Sequence, residues 1–162
     1  MFNIEKMLRE QEKLDNLILK KCNILNFEAV QNKVALALLV EVSELANEVQ
    51  SFKYWKLSKQ IDLAKVKEEY SDGIHFLNSI SFYYQLSNLI PFKVISPDIN
   101  EQFRAVFISI AEFMKKPSKE SILEVYSLYL GIAKLLNISN EEIEKSYFEK
   151  NLINQKRAKG SY

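Results

Sequence analysis

Four carboxylates fall in two short clusters, Glu41-Val-Ser-Glu44 and, beyond residues 45–68, Glu69-Tyr-Ser-Asp72. Both lie in segments with helical patterning, where positions i and i+3 share a face. Each cluster therefore offers two oxygen ligands on one stripe, and two facing helices pool four. Acidic groups packed this closely repel one another unless cations neutralise them. Hard cations such as Mg²⁺, with Mn²⁺ as a substitute, take carboxylate and water ligands and commonly bridge to phosphate. The spacing points to metal-assisted chemistry on a phosphorylated substrate.

The elements that must position these groups can be read from apolar periodicity. Ile4, Met7, Leu8, Leu14, Leu17 and Ile18 form a first helical stripe that ends near Asn23. Asn26 is placed to cap a second helix of about 25 residues with Val34, Leu38, Val42, Leu45 and Val49 on one face. Phe52-Lys-Tyr-Trp-Lys56 leaves that helix and opens a connection. A third helix, about Ile61 to Asn88, carries the second acidic cluster. Helices over about Ile99–Lys115, 118–136 and 141–157 complete the chain, and all three prolines fall between helices. These readings predict an all-α bundle of about six helices, formed as one domain over residues 1–162.

Composition narrows the classes further. The 162 residues are 48% apolar and 27% charged with net charge +1, which describes a globular protein without a strong field toward nucleic acid or anionic membrane. No apolar run approaches the roughly 20 residues that span a bilayer, and no secretory leader pattern opens the chain. The single cysteine, Cys22, cannot form an internal disulfide. It is expected to be a small core residue in a reducing, cytoplasmic setting.

Acidic residues at i,i+3 usually mark a solvated face. Here Glu41 and Glu44 interrupt the apolar run Ala35–Val40, and no Lys or Arg lies within four residues of either. Asp72 is likewise followed by Gly73, Ile74, His75 and Phe76. Carboxylates at the edge of a core need a partner, and a metal supplies one. A di-iron carboxylate bundle requires two Glu-x-x-His pairs. The chain has one histidine, His75, three residues after an aspartate, so that chemistry is excluded. Phe82-Tyr83-Tyr84, Phe103, Phe107 and Phe113 read as core or subunit interface, and Gly73 as a point of close helix packing.

The pattern Glu-x-x-Glu followed by Glu-x-x-Asp resembles the all-α nucleoside triphosphate pyrophosphohydrolases of the MazG-like superfamily, and within it the dimeric dUTPases. Gln11-Glu-Lys-Leu-Asp15 is similar to that family's first helix. Val40–Glu48 with Phe52-Lys-Tyr-Trp55-Lys56 resembles its first metal helix and Trp-bearing exit. Lys150-Asn151-x-x-Asn154-x-x-Arg157, with a final Tyr162, resembles its phosphate-binding tail. The family tail usually reads Arg-Gln-x-x-Gly-Tyr, and here Ala158 replaces the Gln while the Gly is displaced to Gly160.

The resemblance implies hydrolysis of dUTP to dUMP and pyrophosphate by a homodimer. It assigns two or three Mg²⁺ ions to Glu41, Glu44, Glu69 and Asp72, with Glu41 first and Glu44 second as the general base. Lys150, Asn151, Asn154 and Arg157 would clamp phosphate oxygens. Trp55 and Lys56 would lie beside the substrate, and His75, Asn78, Gln11 and Asp15 would line the base pocket. A related enzyme acting on dCTP or another nucleotide, and an inactive nucleotide-binding module, are the competing readings.

Overall fold

The computed structural model describes residues 1–160, so Tyr162, the end of the tail resemblance, lies outside the described residues. Six α-helices are present among them: α1 (Glu5–Lys21), α2 (Gln31–Val49), α3 (Leu63–Tyr83), α4 (Ile99–Lys115), α5 (Lys119–Leu135) and α6 (Asn140–Lys159). A minimal antiparallel pair joins β1 (Phe2–Asn3) to β2 (Leu89–Ile90), with Phe2 opposite Ile90. The fold is all-α, as the periodicity predicts. No single described helix is long and apolar enough to cross a membrane.

Local chemistry sets the ends. The Asp62 carboxylate accepts from the backbone N–H groups of Ala64 (3.0 Å) and Lys65 (3.3 Å), which starts α3 two residues later than the apolar pattern suggests. That helix stops at Tyr83 rather than Asn88, because Gln85 takes a left-handed φ of 52° and Leu86 N donates back to Ser81 O at 3.0 Å. Asn26 does cap, but its side chain accepts from Ala29 N in a 3₁₀ turn over Phe27–Ala29, and α2 begins only at Gln31. Ser118 and Ser139 each close a reciprocal capping box, fixing the starts of α5 and α6.

The core expectation for Cys22 does not hold. The thiol is exposed, since Cys22 sits at the C-cap of α1, one residue past the helix and four past Ile18, the last residue of the apolar stripe. Phe103 and Phe113 are buried, whereas Phe82 and Tyr83 are exposed at the end of α3.

Helix α3 is the centre of the bundle and packs against α1, α2, α5 and α6. Val66, Tyr70, Ile74, Leu77 and Ile80 bury its apolar side, yet Ser71, His75, Asn78, Ser79 and Ser81 are buried too. From Glu69 to Ser81 this helix has no exposed residue, so its polar side chains there face protein or a pocket. Asn78 takes the first course, accepting a 2.8 Å bond from the Tyr126 hydroxyl of α5.

Close packing beside the second acidic cluster depends on Gly73. The Tyr129 ring of α5 stacks on Tyr70 at 4.6 Å between centroids, and its hydroxyl donates to Tyr70 O at 2.9 Å. A Cβ on Gly73 would lie 2.2 Å from that hydroxyl oxygen. Gly73 thus holds α3 against α5 one residue from Asp72, as the packing expectation for this glycine requires.

Candidate active site

Carboxylates from α2 and α3 meet. Glu41, Glu69 and Asp72 place ligand oxygens within 4.8 Å of one another. Glu41 and Asp72 also line a pocket of about 270 Å³, which lies among α1, α2, α3 and α6. Glu44 is exposed at the rim and outside this tight group. It is still near enough to hydrogen bond the Glu41 carboxyl and to add its negative charge to the other three.

The electrostatics follow from that crowding. Burial, then the charges of Asp72, Glu44 and Glu69, pushes the Glu41 carboxyl up from 4.5 to about 7. Glu69 is raised by burial and by Asp72, Glu44 and Glu68. Burial raises Asp72 as well, although Lys150 pulls in the other direction. Lys150 of α6 is the cation that answers the cluster, donating to Asp72 Oδ2 at 2.8 Å and Glu68 Oε1 at 2.9 Å. Burial works against its ammonium, but these two carboxylates outweigh burial and leave its pKa raised. One lysine cannot neutralise four or five carboxylates. An all-oxygen donor set with surplus negative charge fits hard divalent cations such as Mg²⁺ or Mn²⁺.

A stability consequence follows with a definite sign. Above the reference value of 4.5 the unfolded chain has released the Glu41 proton, while the folded chain keeps it until about pH 7. Folded stability from this group is therefore present below 4.5 and lost as pH rises through about 7. His75 acts in the opposite sense below pH 6.5, because burial, then Lys150, lowers it to about 3. Comparing variants isolates the Glu41 effect. Thermal unfolding of metal-free protein should show Glu41→Gln gaining stability relative to wild type as pH rises from 4.5 to 7.5. A constant difference across that range would contradict the crowding. Mg²⁺ should restore the wild-type midpoint at the upper end.

The remaining predicted residues separate into those the fold gathers and those it does not. Gln11 and Asp15 from α1, His75 from α3, and Asn154 and Arg157 from α6 line the same pocket as Glu41, Asp72 and Lys150. Lys21 of α1 holds the end of α6, donating from Nζ to Arg157 O at 3.1 Å and to Gly160 O. Asn78 is fully buried against Tyr126. Asn151 is buried as well, its Nδ2 donating to the Tyr147 hydroxyl at 3.3 Å and its Oδ1 accepting from Gln155. Neither Asn78 nor Asn151 lines the pocket. Trp55 is 60% exposed in the α2–α3 connection, edge-on to Phe52 and Tyr54. The structure brings neither Trp55 nor Lys56 to the pocket, so their role rests on the resemblance alone.

Two contributors escaped the sequence reading. Ser79 lines the pocket and donates to Asp15 Oδ1 at 3.0 Å. Tyr147 stacks on the His75 ring at 4.3 Å and reaches Gln11 Oε1 at 2.9 Å. Helical spacing was the available signal for Ser79, which stands one turn beyond His75. No spacing rule joins Tyr147 to α1 and α3.

The six-helix bundle thus sets carboxylates, three polar or cationic side chains of α6 and a polar inner wall around one pocket, which defines an all-α protein with a charged cleft. The chain belongs to the dUTPase family: the family model described as dUTPase matches residues 3–162, including all four helices that form the pocket. No curated protein and no solved structure matches the chain. The family is one of dUTP hydrolases.

Proposed function

We propose that the protein is a Mg²⁺-dependent dUTP diphosphatase, hydrolysing dUTP to dUMP and pyrophosphate. The observation that carries the reading is that one pocket holds three kinds of wall. Glu41 and Asp72 supply carboxylates, Lys150, Asn154 and Arg157 come from α6, and Gln11, Asp15, His75 and Ser79 add a polar wall. A nucleoside triphosphate needs these three environments.

Bound divalent cations, held by Glu41, Glu69 and Asp72 with Glu44 at the rim, would polarise phosphoryl oxygens and lower the pKa of water. The protein's own part is orientation and proton transfer. Glu41 accepts the proton of the attacking water from its place on the pocket wall beside Glu69 and Asp72. Arg157 offers a planar fork for two phosphate oxygens, and Lys150 exchanges part of its contact with Asp72 and Glu68 for phosphate. Asn151 contributes by positioning, since its amide holds Tyr147 and Gln155. As a homodimer, the protein would cover the apolar groove lined by Ala46, Phe52, Phe103, Phe107 and Ile108.

The test is pyrophosphate release from dUTP, dCTP, dTTP and UTP, with and without Mg²⁺. Turnover of dUTP that requires Mg²⁺ and exceeds the others is the expected outcome. Preferential turnover of dCTP would keep the metal group and replace the substrate, and metal binding without turnover would make the protein a nucleotide-binding module.

A further inference from the structure

One ammonium answers the acidic group from inside the protein, and its position sets it against an incoming metal. Lys150 Nζ lies 2.8 Å from Asp72 Oδ2 and 2.9 Å from Glu68 Oε1. The Lys150 side chain is 15% exposed and that of Asp72 17%, so water and salt screen the pair only in part. Asp72 is one of the three carboxylates whose oxygens lie within 4.8 Å of one another. Among the described residues, no other ion pair involves Glu41, Glu69 or Asp72. Glu68 is exposed and outside that group, and it anchors the ammonium at the group's edge.

A charged donor beside a metal-ligating carboxylate has two opposite effects. It orients the carboxylate, and losing such a partner typically costs about 10- to 100-fold in metal affinity. It also uses up the negative potential that a divalent cation needs. A neighbouring cation weakens a carboxylate's hold on a single proton by about 10- to 1,000-fold, and a divalent ion is opposed more strongly. The second effect prevails here, because a neutral donor would orient Asp72 equally well, whereas an ammonium shared by two carboxylates cancels charge. Lysine is a point charge on a flexible stem, so it can leave when another anion is offered. Asn154 and Arg157 follow Lys150 by one and two turns of α6 and line the same pocket. A polyphosphate held by them comes within reach of Lys150.

We propose that Lys150 is a built-in counter-cation that keeps the bare carboxylate group from holding a divalent ion tightly, so that metal is taken up together with a polyphosphate. Phosphate oxygens draw the ammonium off Asp72 and add ligands and negative charge for the ion. Each partner then strengthens the binding of the other by the same factor. The species the free protein binds is thus the metal–polyphosphate complex rather than a resident ion. This inference rests on the metal part of the proposed function and is independent of the base that the nucleotide carries.

The test starts with manganese alone, titrated into the full chain and followed by electron paramagnetic resonance of the free ion. Wild type is compared with Lys150→Met, Lys150→Gln and Lys150→Arg, each checked for folding by thermal unfolding. Calorimetry then measures binding of manganese preloaded on methylenediphosphonate, a diphosphate that cannot be hydrolysed. Lys150→Met and Lys150→Gln should hold the bare ion about 10-fold tighter than wild type, and Lys150→Arg should match wild type. Wild type should prefer the preformed complex to the bare ion by about 10-fold or more, and the two uncharged variants should bind that complex less well than wild type does. Lys150→Gln is read alone if Lys150→Met does not fold. Weaker manganese binding by the uncharged variants would show that the lysine orients Asp72, and it overturns the proposal. Equal binding, or a wild type that holds the bare ion as tightly as the complex, overturns it too. No manganese binding to any form, bare or complexed, would overturn the metal reading itself. The probe carries no base, so the preference for dUTP stands or falls separately, by pyrophosphate release.

Discussion

Glu41→Gln should lower dUTP turnover by about 10³-fold while leaving the helical circular dichroism unchanged, a loss within the 10²–10⁴ range for removal of a general base. The substitution keeps the shape and nearly the volume of the side chain, so packing on α2 is preserved. Two properties disappear together. The amide cannot accept a proton from water, and one negative charge leaves a group whose oxygens lie within 4.8 Å of one another. The same loss of charge relieves repulsion toward Glu69 and Asp72, so the variant should gain thermal stability near neutral pH as it loses turnover. Stability rising while activity falls distinguishes a functional carboxylate from a structural one. If Glu41→Gln retained near-normal turnover of dUTP, neither the base assignment nor the metal group would stand.

The second large effect concerns Gly73. Adding one methyl group places a carbon 2.2 Å from the Tyr129 hydroxyl oxygen and 2.6 Å from the ring carbon that bears it. Tyr129 cannot yield, since it is fully buried, stacked on Tyr70 and bonded to Tyr70 O. Either α3 separates from α5 or the ring leaves its place. We expect Gly73→Ala to destabilise the fold by about 3 kcal/mol, at the upper end of ordinary overpacking. In a chain of this size that corresponds to a fall of roughly 6–12 °C in Tm. Because Gly73 adjoins Asp72, turnover should also fall in the fraction that remains folded. A Tm within 2 °C of wild type would show that α5 does not press on α3 as described.

How much of this was legible in the residues differs by element. Glu41 and Asp72 could be found because a carboxylate pair amid apolar neighbours has no local explanation, and helical spacing places each pair on one face. Lys150, Asn154 and Arg157 of α6 were legible only through the resemblance of the tail, because Lys and Arg near a helix C-terminus are ordinary by themselves. Glu44 shows the limit of spacing. It shares a stripe with Glu41, yet it stands exposed at the rim, because the distance between α2 and α3 decides which carboxylate reaches inward. Asn78 and Asn151 fall on plausible faces but turn to Tyr126 and Tyr147, partners that lie 48 and 4 residues away along the chain. Cys22 was misplaced because apolar character alone does not bury a residue just past a helix end.

Periodicity, caps and proline placement by themselves determined six helices, their all-α class and the two acidic stripes, because these depend on interactions within a few residues. Tertiary structure alone decided that α1 and α6 close over α3, that Gly73 admits Tyr129, and that Asp15, Gln11 and His75 are joined by hydrogen bonds. Those contacts join residues up to 140 positions apart, as in the bond from the Tyr147 hydroxyl to Met7 O. No local pattern encodes them. They exist because helices remote in sequence pack around α3, and only the packed bundle determines which neighbours its buried polar groups meet.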